Sequence, residues 1–363
     1  MFKMKMMALL QNKAIRNSTI VLLAVAIILG IIAWPKSDAD TPVSVDLRSA
    51  SMKVSAGSKD ILMPEVAPGQ SEKEAKYNNL YCIDEGTHLS YATYNKEINL
   101  YNSNECSKYF SNYGSALWLV DHMYISTAKN ADVSLEYLAE LVTSTDVKKE
   151  VSAYGNITAD NIKSLNKTVG SGKDQKGNKI DRNLIEVIEQ LNLWNYTKNK
   201  EKIDCDKFIN AGISGTNITS DDQNACKYLY HALKYLADKN SEYTSNGTFS
   251  NAISLDNSNA KLDVTKKQVG PYYLKSSGVT LNIDSNLKSK ITAKVTTVDG
   301  NTKEVSSEKI KVDTKTGAFY IDITDYANVT SAEIKVAEMF SGAKVTAIAL
   351  VNGKNQNVIN INK

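Results

Sequence analysis

The chain is poor in the residues that most often carry metal chemistry or rigid turns: 363 positions hold five prolines, four cysteines and three histidines. The histidines (His88, His122 and His231) are far apart, and none of Cys82, Cys106, Cys205 and Cys226 form a Cys-x-x-Cys pair. That spacing argues against a zinc site. Arginine is scarcer still, since the 43 basic residues include only Arg16, Arg48 and Arg182, leaving forty lysines. Forty carboxylates offset them to a net charge of +3, so there is no basic field for nucleic acid. A charged fraction of 23% with 42% apolar residues excludes both a disordered chain and a polytopic membrane protein. The length suggests two domains with enough sequence for a buried core.

Only one long apolar run is present, and it comes first. Lys3, Lys5, Lys13 and Arg16 precede an uncharged stretch from Ile20 to Trp34, and the first carboxylate is Asp38. Such a stretch is long for a signal-peptide core and short for a bilayer span. Ser37-Asp38-Ala39 supplies small residues for a signal peptidase. Residues 1–37 are therefore either a signal peptide or a retained N-terminal hydrophobic helix anchoring the chain. In both cases the basic flank stays inside and the remainder is exported, to the outer face of the membrane, the cell wall or the medium, where disulfides are permitted.

Residues 38–75 hold three of the five prolines and read as a linker or a loosely attached leading strand. Residues 76–262 mix short apolar extended segments with helical periodicity. Leu184, Val187, Ile188, Leu191 and Trp194 mark one firm helix, and Ala225, Leu229, Ala232, Leu233 and Leu236 another beginning near Ser220. Residues 263–363 change to period two, with eight short candidate strands and hairpin turns at Asp299-Gly300 and Asn352-Gly353. The expected architecture is α+β: a mixed β/α domain, then an antiparallel β-sandwich.

All four cysteines fall in the middle domain, and two structural disulfides would account for them. Their contexts allow a sharper reading. Leu80-Tyr81-Cys82-Ile83-Asp84-Glu85-Gly86 is an apolar strand running into a turn. It is followed in order by Ala116-Leu117-Trp118-Leu119-Val120-Asp121-His122, by Val133-Ser134-Leu135-Glu136-Tyr137-Leu138-Ala139, by Asp222-Gln223-Asn224-Ala225-Cys226 and by Val269-Gly270-Pro271-Tyr272. This ordered series resembles the thioester domain family of Gram-positive bacterial surface adhesins, over about residues 76–275. The chain departs from the family's Thr-Gln-x-Ala-Ile-Trp segment at Asp222, in place of threonine, and at Lys227, in place of tryptophan, with Tyr228 alongside.

The resemblance implies that Cys82 supplies the sulfur and Gln223 the acyl carbon of an internal thioester. Sulfur donates poorly into a carbonyl, so such a bond is far more electrophilic than the amide it replaces. A thiolate must form, which a helix N-terminus favours, and the oxyanion and the departing ammonia need donors. His122 and Asp84 are candidate helpers, and Tyr81, Trp118 and Tyr228 candidate pocket walls. The implied partner is an amine-bearing protein, or a small amine, on a host or neighbouring surface. No cofactor, metal or nucleic acid is expected, a membrane is involved only through an uncleaved first helix, and the protein is not expected to be an enzyme.

Three alternatives stand beside this. Ser220-Asp221-Asp222-Gln223 fits a helix capping box that needs no chemistry. The preferred partition is a Cys82–Gln223 thioester, a Cys106–Cys205 disulfide and Cys226 as a buried apolar thiol, but Cys82 could instead bond Cys226 in place of Gln223. The protein would then be a disulfide-stabilised, non-covalent binding protein. Lastly, Cys82 with His122 or His231 could form a cysteine hydrolase or transpeptidase, although such nucleophiles usually sit at a helix start and not in a strand.

Overall fold

The computed structural model describes residues 42–47, 49–57, 59–66, 79–83, 92–128, 131–170, 182–198, 204–215, 217–274, 279–285, 289–296, 302–305, 309–312, 319–323, 334–351 and 357–363. The expected signal or anchor at 1–37 and the candidate helper Asp84 lie outside these residues. Among the described residues no helix is long and apolar enough to cross a membrane. Met1–Pro42 and Val43–Lys363 are separate units, and the architecture below is that of the second.

Strands β1 (Pro42–Leu47), β2 (Ser49–Ala56), β3 (Lys59–Val66), β4 (Leu80–Cys82) and β5 (Ala92–Asn99) come first. Helices α1 (Ser103–Cys106), α2 (Tyr113–His122), α3 (Ala131–Val142), α4 (Thr145–Glu150) and α5 (Ala159–Lys163) follow. A short ladder of β6 (Thr168–Val169) and β7 (Arg182–Asn183) precedes α6 (Leu184–Trp194), α7 (Cys205–Asn210) and α8 (Ser220–Lys239). Then come β8 (Thr248–Ser254), β9 (Lys261–Asp263), β10 (Gln268–Tyr272), β11 (Val279–Ser285), β12 (Ser289–Thr296) and β13 (Thr302–Val305). The chain closes with β14 (Lys309–Val312), β15 (Phe319–Ile323), β16 (Ile334–Lys344), β17 (Thr346–Val351) and β18 (Val358–Asn362).

The sheet that matters for Cys82 has the order β1-β5-β17-β18-β4. Its last three strands are thus drawn from both ends of the chain. Residues 346–362, expected in the C-terminal sandwich, return to the cysteine-bearing sheet, so β8 to β16 form an insertion within it. The segment expected as a linker contributes β1 to the same sheet and a β2–β3 hairpin beside it.

Register explains this arrangement. Ile98 lies opposite Ala349, Ala349 opposite Ile359, and Ile359 opposite Tyr81. This buried row crosses four strands and joins the same hydrophobic core as the helices. Burial of each such aliphatic side chain contributes about 1.5–3 kcal/mol, a gain the last strands obtain only by returning to the helical body.

Helix α6 forms the centre of that body. Asn183 caps it, its side chain accepting from the Ile185 N–H, and every residue from Leu184 to Trp194 is buried, polar ones included. Helix α8 begins with a capping box between Thr219 and Asp222 and runs alongside α6. The inserted strands form two sheets, β13-β12-β15-β10-β9 and β14-β11-β16-β8. Ile253, Leu281 and Ile283 of one and Tyr272 and Ile321 of the other share a second apolar cluster.

Candidate functional site

Strand β4 is the edge of its sheet, yet it is fully buried. An edge strand leaves every second N–H and C=O without a ladder partner, which is costly in a dry interior. Here side chains take the missing strand's place. The Cys82 N–H donates to Gln190 Oε1 at 2.7 Å, and Gln190 Nε2 donates to the Cys82 carbonyl at 2.9 Å. Two residues earlier, an Arg182 terminal nitrogen donates to the Leu80 carbonyl at 2.6 Å.

Side chains alternate along a strand, so Tyr81 and Cys82 point to opposite faces. Tyr81 takes the α6 side, where its ring lies 4.3 Å from the Arg182 guanidinium carbon. Burial, followed by the nearby Glu186 carboxylate, pushes its phenol well above the usual range. Cys82 therefore shares the opposite face with Leu80, and β3 of the hairpin runs against this strand.

Gln223 lies in the first turn of α8. The capping box is made by Thr219 and Asp222, one residue earlier than the expected Ser220–Gln223 pair, and this correction removes the cap from Gln223. Its amide instead embraces one peptide: Ile213 N–H donates to Oε1 at 2.9 Å and Nε2 donates to the Ile213 carbonyl at 2.7 Å. Ile213 is bridged to Ala56 at the end of β2, and the Ser214 N–H donates to the Ser55 carbonyl at 2.7 Å. The β2–β3 hairpin thus borders both the Cys82 strand and the peptide that holds Gln223.

A second connection runs through β6 and β7, where Val169 lies opposite Arg182. Arg182 grips β4, while Lys167 donates to both Asp222 oxygens, at 2.7 and 2.6 Å, beside Gln223. Burial alone would raise the Asp222 carboxylate, but the bonds from Lys167 and Thr219 outweigh it and hold the group below its ordinary range.

The other expected residues serve elsewhere. His122 stacks on Trp118, with centroids 4.1 Å apart, and its Nδ1 is 2.6 Å from the Trp118 carbonyl. Burial, against the opposing effect of that bond, lowers its pKa to about 3, so the ring is neutral. The residues on either side of His122, Asp121 and Met123, accept from Lys363, which is five residues beyond the Val358 that faces Cys82. At ~3.3 Å per residue that is about 16 Å along the strand. The structure groups Trp118 and His122 with each other at that far end. Tyr228 donates to the Val142 carbonyl at 3.0 Å and ties α8 to α3.

All four cysteines are buried thiols. The expected Cys106–Cys205 bridge is not formed: Cys106 Sγ lies 3.3 Å from the Asn99 carbonyl and Cys205 Sγ 3.5 Å from that of Leu191. Cys226 is one turn after Asp222 on α8, and burial, then the Asp222 charge, pushes its thiol up. His231 pairs with Asp206 at 2.7 Å and stacks on Tyr154.

Sequence reasoning missed Gln190, Arg182, Lys167, Glu189 and Lys363. Glu189 accepts from the Tyr124 N–H at 2.6 Å, its second oxygen has no hydrogen-bond partner among the described residues, and burial raises its pKa well above the carboxylate range. Lys363 donates to the carbonyls of Asp121 and Met123, and burial lowers its pKa to about 8. Arg182, one of three arginines and four residues before Glu186, was the available signal for this cluster. Among the described residues no group of His, Cys, Asp and Glu could hold a metal ion.

No family model and no curated protein matches this chain. Among solved structures, the thioester domain of the Enterococcus faecium TIE86 protein is similar over 89% of this chain and 92% of that one, at 11% identity and a TM-score of 0.25. A likeness at that TM-score decides nothing about fold or chemistry.

Proposed function

We propose that the chain is an exported surface attachment module in which Cys82 and Gln223 condense to an internal thioester that an amine then opens. In formation, Sγ bonds to the Gln223 side-chain carbon and the amide nitrogen leaves with the thiol proton as ammonia. In opening, the incoming amine nitrogen bonds to that carbon, and the sulfur leaves with a proton as the Cys82 thiol. The product is an amide joining this chain to an amine-bearing protein or small amine on a host or neighbouring surface.

The observation that supports this most is the pair of hydrogen bonds exchanged between the Gln190 amide and the Cys82 peptide, which fixes a fully buried cysteine in place. Burial would also exclude water from the finished bond, a requirement for an electrophile that must wait for its target. The positive end of α8 beside Gln223 favours developing negative charge. Bond formation expels the Gln223 Nε2 that donates to the Ile213 carbonyl, so it gives up at least that hydrogen bond, about 1 kcal/mol.

The intact mass of the folded chain tests the reading. A thioester makes it lighter by one ammonia, and methylamine adds to it unless Cys82 is replaced by alanine. An unreduced mass with no methylamine adduct would rule the thioester out.

The Gln223–Ile213 bonds favour a second reading, a non-covalent binding module in which Gln223 is a clamp. That reading expects the full mass and no adduct.

A further inference from the structure

Two cations that the thioester chemistry does not itself use bind the two elements that carry its reactants. Arg182 Nε donates to Glu186 at 3.1 Å, one terminal nitrogen donates to the Leu80 carbonyl at 2.6 Å, and the guanidinium covers the Tyr81 ring. The bond to Leu80 and the contact with Tyr81 hold the strand that ends in Cys82, and the bond to Glu186 ties the guanidinium to α6. Lys167 donates to both oxygens of Asp222 and to the Asn217 carbonyl at 3.3 Å. An ammonium has three donors, and all are used on the first turn of α8 and the loop before it.

The two cations are joined by backbone. Val169 pairs with Arg182 and Thr168 with Asn183, and the Leu184 N–H donates to the Lys167 carbonyl at 2.8 Å. The connection from Leu80 to Asp222 is therefore unbroken: carbonyl, guanidinium, two-strand ladder, ammonium, carboxylate.

Such a connection is not needed for stability alone. The Arg182, Glu186 and Asp222 side chains are 3%, 6% and 4% exposed. Desolvating charges to that degree often makes a buried ion pair no better than apolar packing, and its best-attested use is to fix register. The planar guanidinium fork is suited to this, because its directions are rigid.

We propose that Arg182 and Lys167 form a strut that sets the approach of the Cys82 strand to the helix start carrying Gln223, making both positioning residues for thioester formation. The inference rests on the thioester reading and adds to it the part that holds sulfur and acyl carbon in register.

The test measures the fraction of full-length chain lacking ammonia, by intact mass, together with the unfolding temperature of each variant. Misplacement by about an ångström can slow a reaction on the order of a hundred-fold, so Lys167→Met and Arg182→Lys are expected to slow thioester formation by roughly ten-fold or more. Lys167→Arg restores the rate. Glu136→Gln, which removes the ion pair between Glu136 of α3 and Lys163 of α5, leaves it unchanged. Should Lys167→Met not fold, Asp222→Asn carries the same comparison, because it keeps an acceptor for the Thr219 cap. Folded Lys167→Met or Asp222→Asn chain that forms the bond at the wild-type rate would overturn the strut and leave the thioester standing. Wild-type chain that never loses ammonia would overturn both.

Discussion

The side-chain amide of Gln190 and the peptide of Cys82 close a ring of two hydrogen bonds, 2.7 Å and 2.9 Å long, in a position where a neighbouring strand would otherwise lie. Gln223 makes the same kind of ring with Ile213. One glutamine thus holds the cysteine and another is itself held, and both arrangements can be broken by single substitutions.

Replacing Gln190 with leucine leaves a buried N–H and a buried C=O without partners. The expected loss is about 2–6 kcal/mol, at ~1–3 kcal/mol per orphaned group. Gln190→Glu keeps both contacts only as the neutral acid, so a smaller loss is expected at acid pH, growing as the buried carboxylate ionises. Urea unfolding midpoints of the two variants check the order, and equal stability of Gln190→Leu and wild type would refute it.

The number of titratable thiols separates the two functional readings. Chain unfolded in a non-nucleophilic denaturant should show one thiol fewer than the four of the reduced protein, and all four after treatment with hydroxylamine. Cys82→Ala should abolish the difference, whereas Cys106→Ala should leave it. Four thiols before hydroxylamine would count against the bond.

His122 predicts a pH dependence of known sign. Its pKa falls from an ordinary 6.5 to about 3 on folding. Between those values the unfolded chain binds the proton and the folded chain does not, so stability is lost as pH falls from 6.5 toward 3. The slope approaches about 1.4 kcal/mol per pH unit for one group. His122→Phe, which preserves a ring to stack on Trp118, should flatten the decline over that range in denaturant titrations at stepped pH.

Gly114 stands in α2 where the helix presses on the loop behind it. A Cβ there would lie 1.9 Å from the Ser241 carbonyl oxygen, which is backbone and cannot rotate away. Alanine normally favours a helix over glycine by about 1 kcal/mol. Gly114→Ala is nevertheless expected to destabilise by about 3 kcal/mol through overpacking, read as a fall in the unfolding temperature.

Much of the architecture was legible, for definite reasons. The apolar spacing from Leu184 to Trp194 located α6, and alternation after residue 263 located the later strands. Alternation marks a strand's two faces but not its sheet, so nothing in β17 and β18 revealed that they would pair beside β5 and β4. The apolar spacing of α6 carries no information about its polar positions, of which Glu186, Glu189 and Gln190 are buried. Their partners are the Ser126 and Tyr124 N–H groups and the Cys82 peptide, all distant in sequence. The helix start near Ser220 was visible, but the choice between two overlapping caps depended on Thr219 having extended backbone. That choice decided whether Gln223 was occupied as a cap.

The return of β18 to the cysteine-bearing strand also sets an order in time. The Asn79 N–H donates to the Asn360 side chain across 281 residues of intervening chain. A polypeptide emerging amino end first therefore exposes Cys82 long before the strand that completes its surroundings has arrived. Until residues 358–362 are in place, β4 has side-chain partners on one side and none from a ladder on the other. A rigid, dry setting for Cys82 therefore exists only once residues 358–362 have been made and have paired with β4, and before that the cysteine is an ordinary thiol.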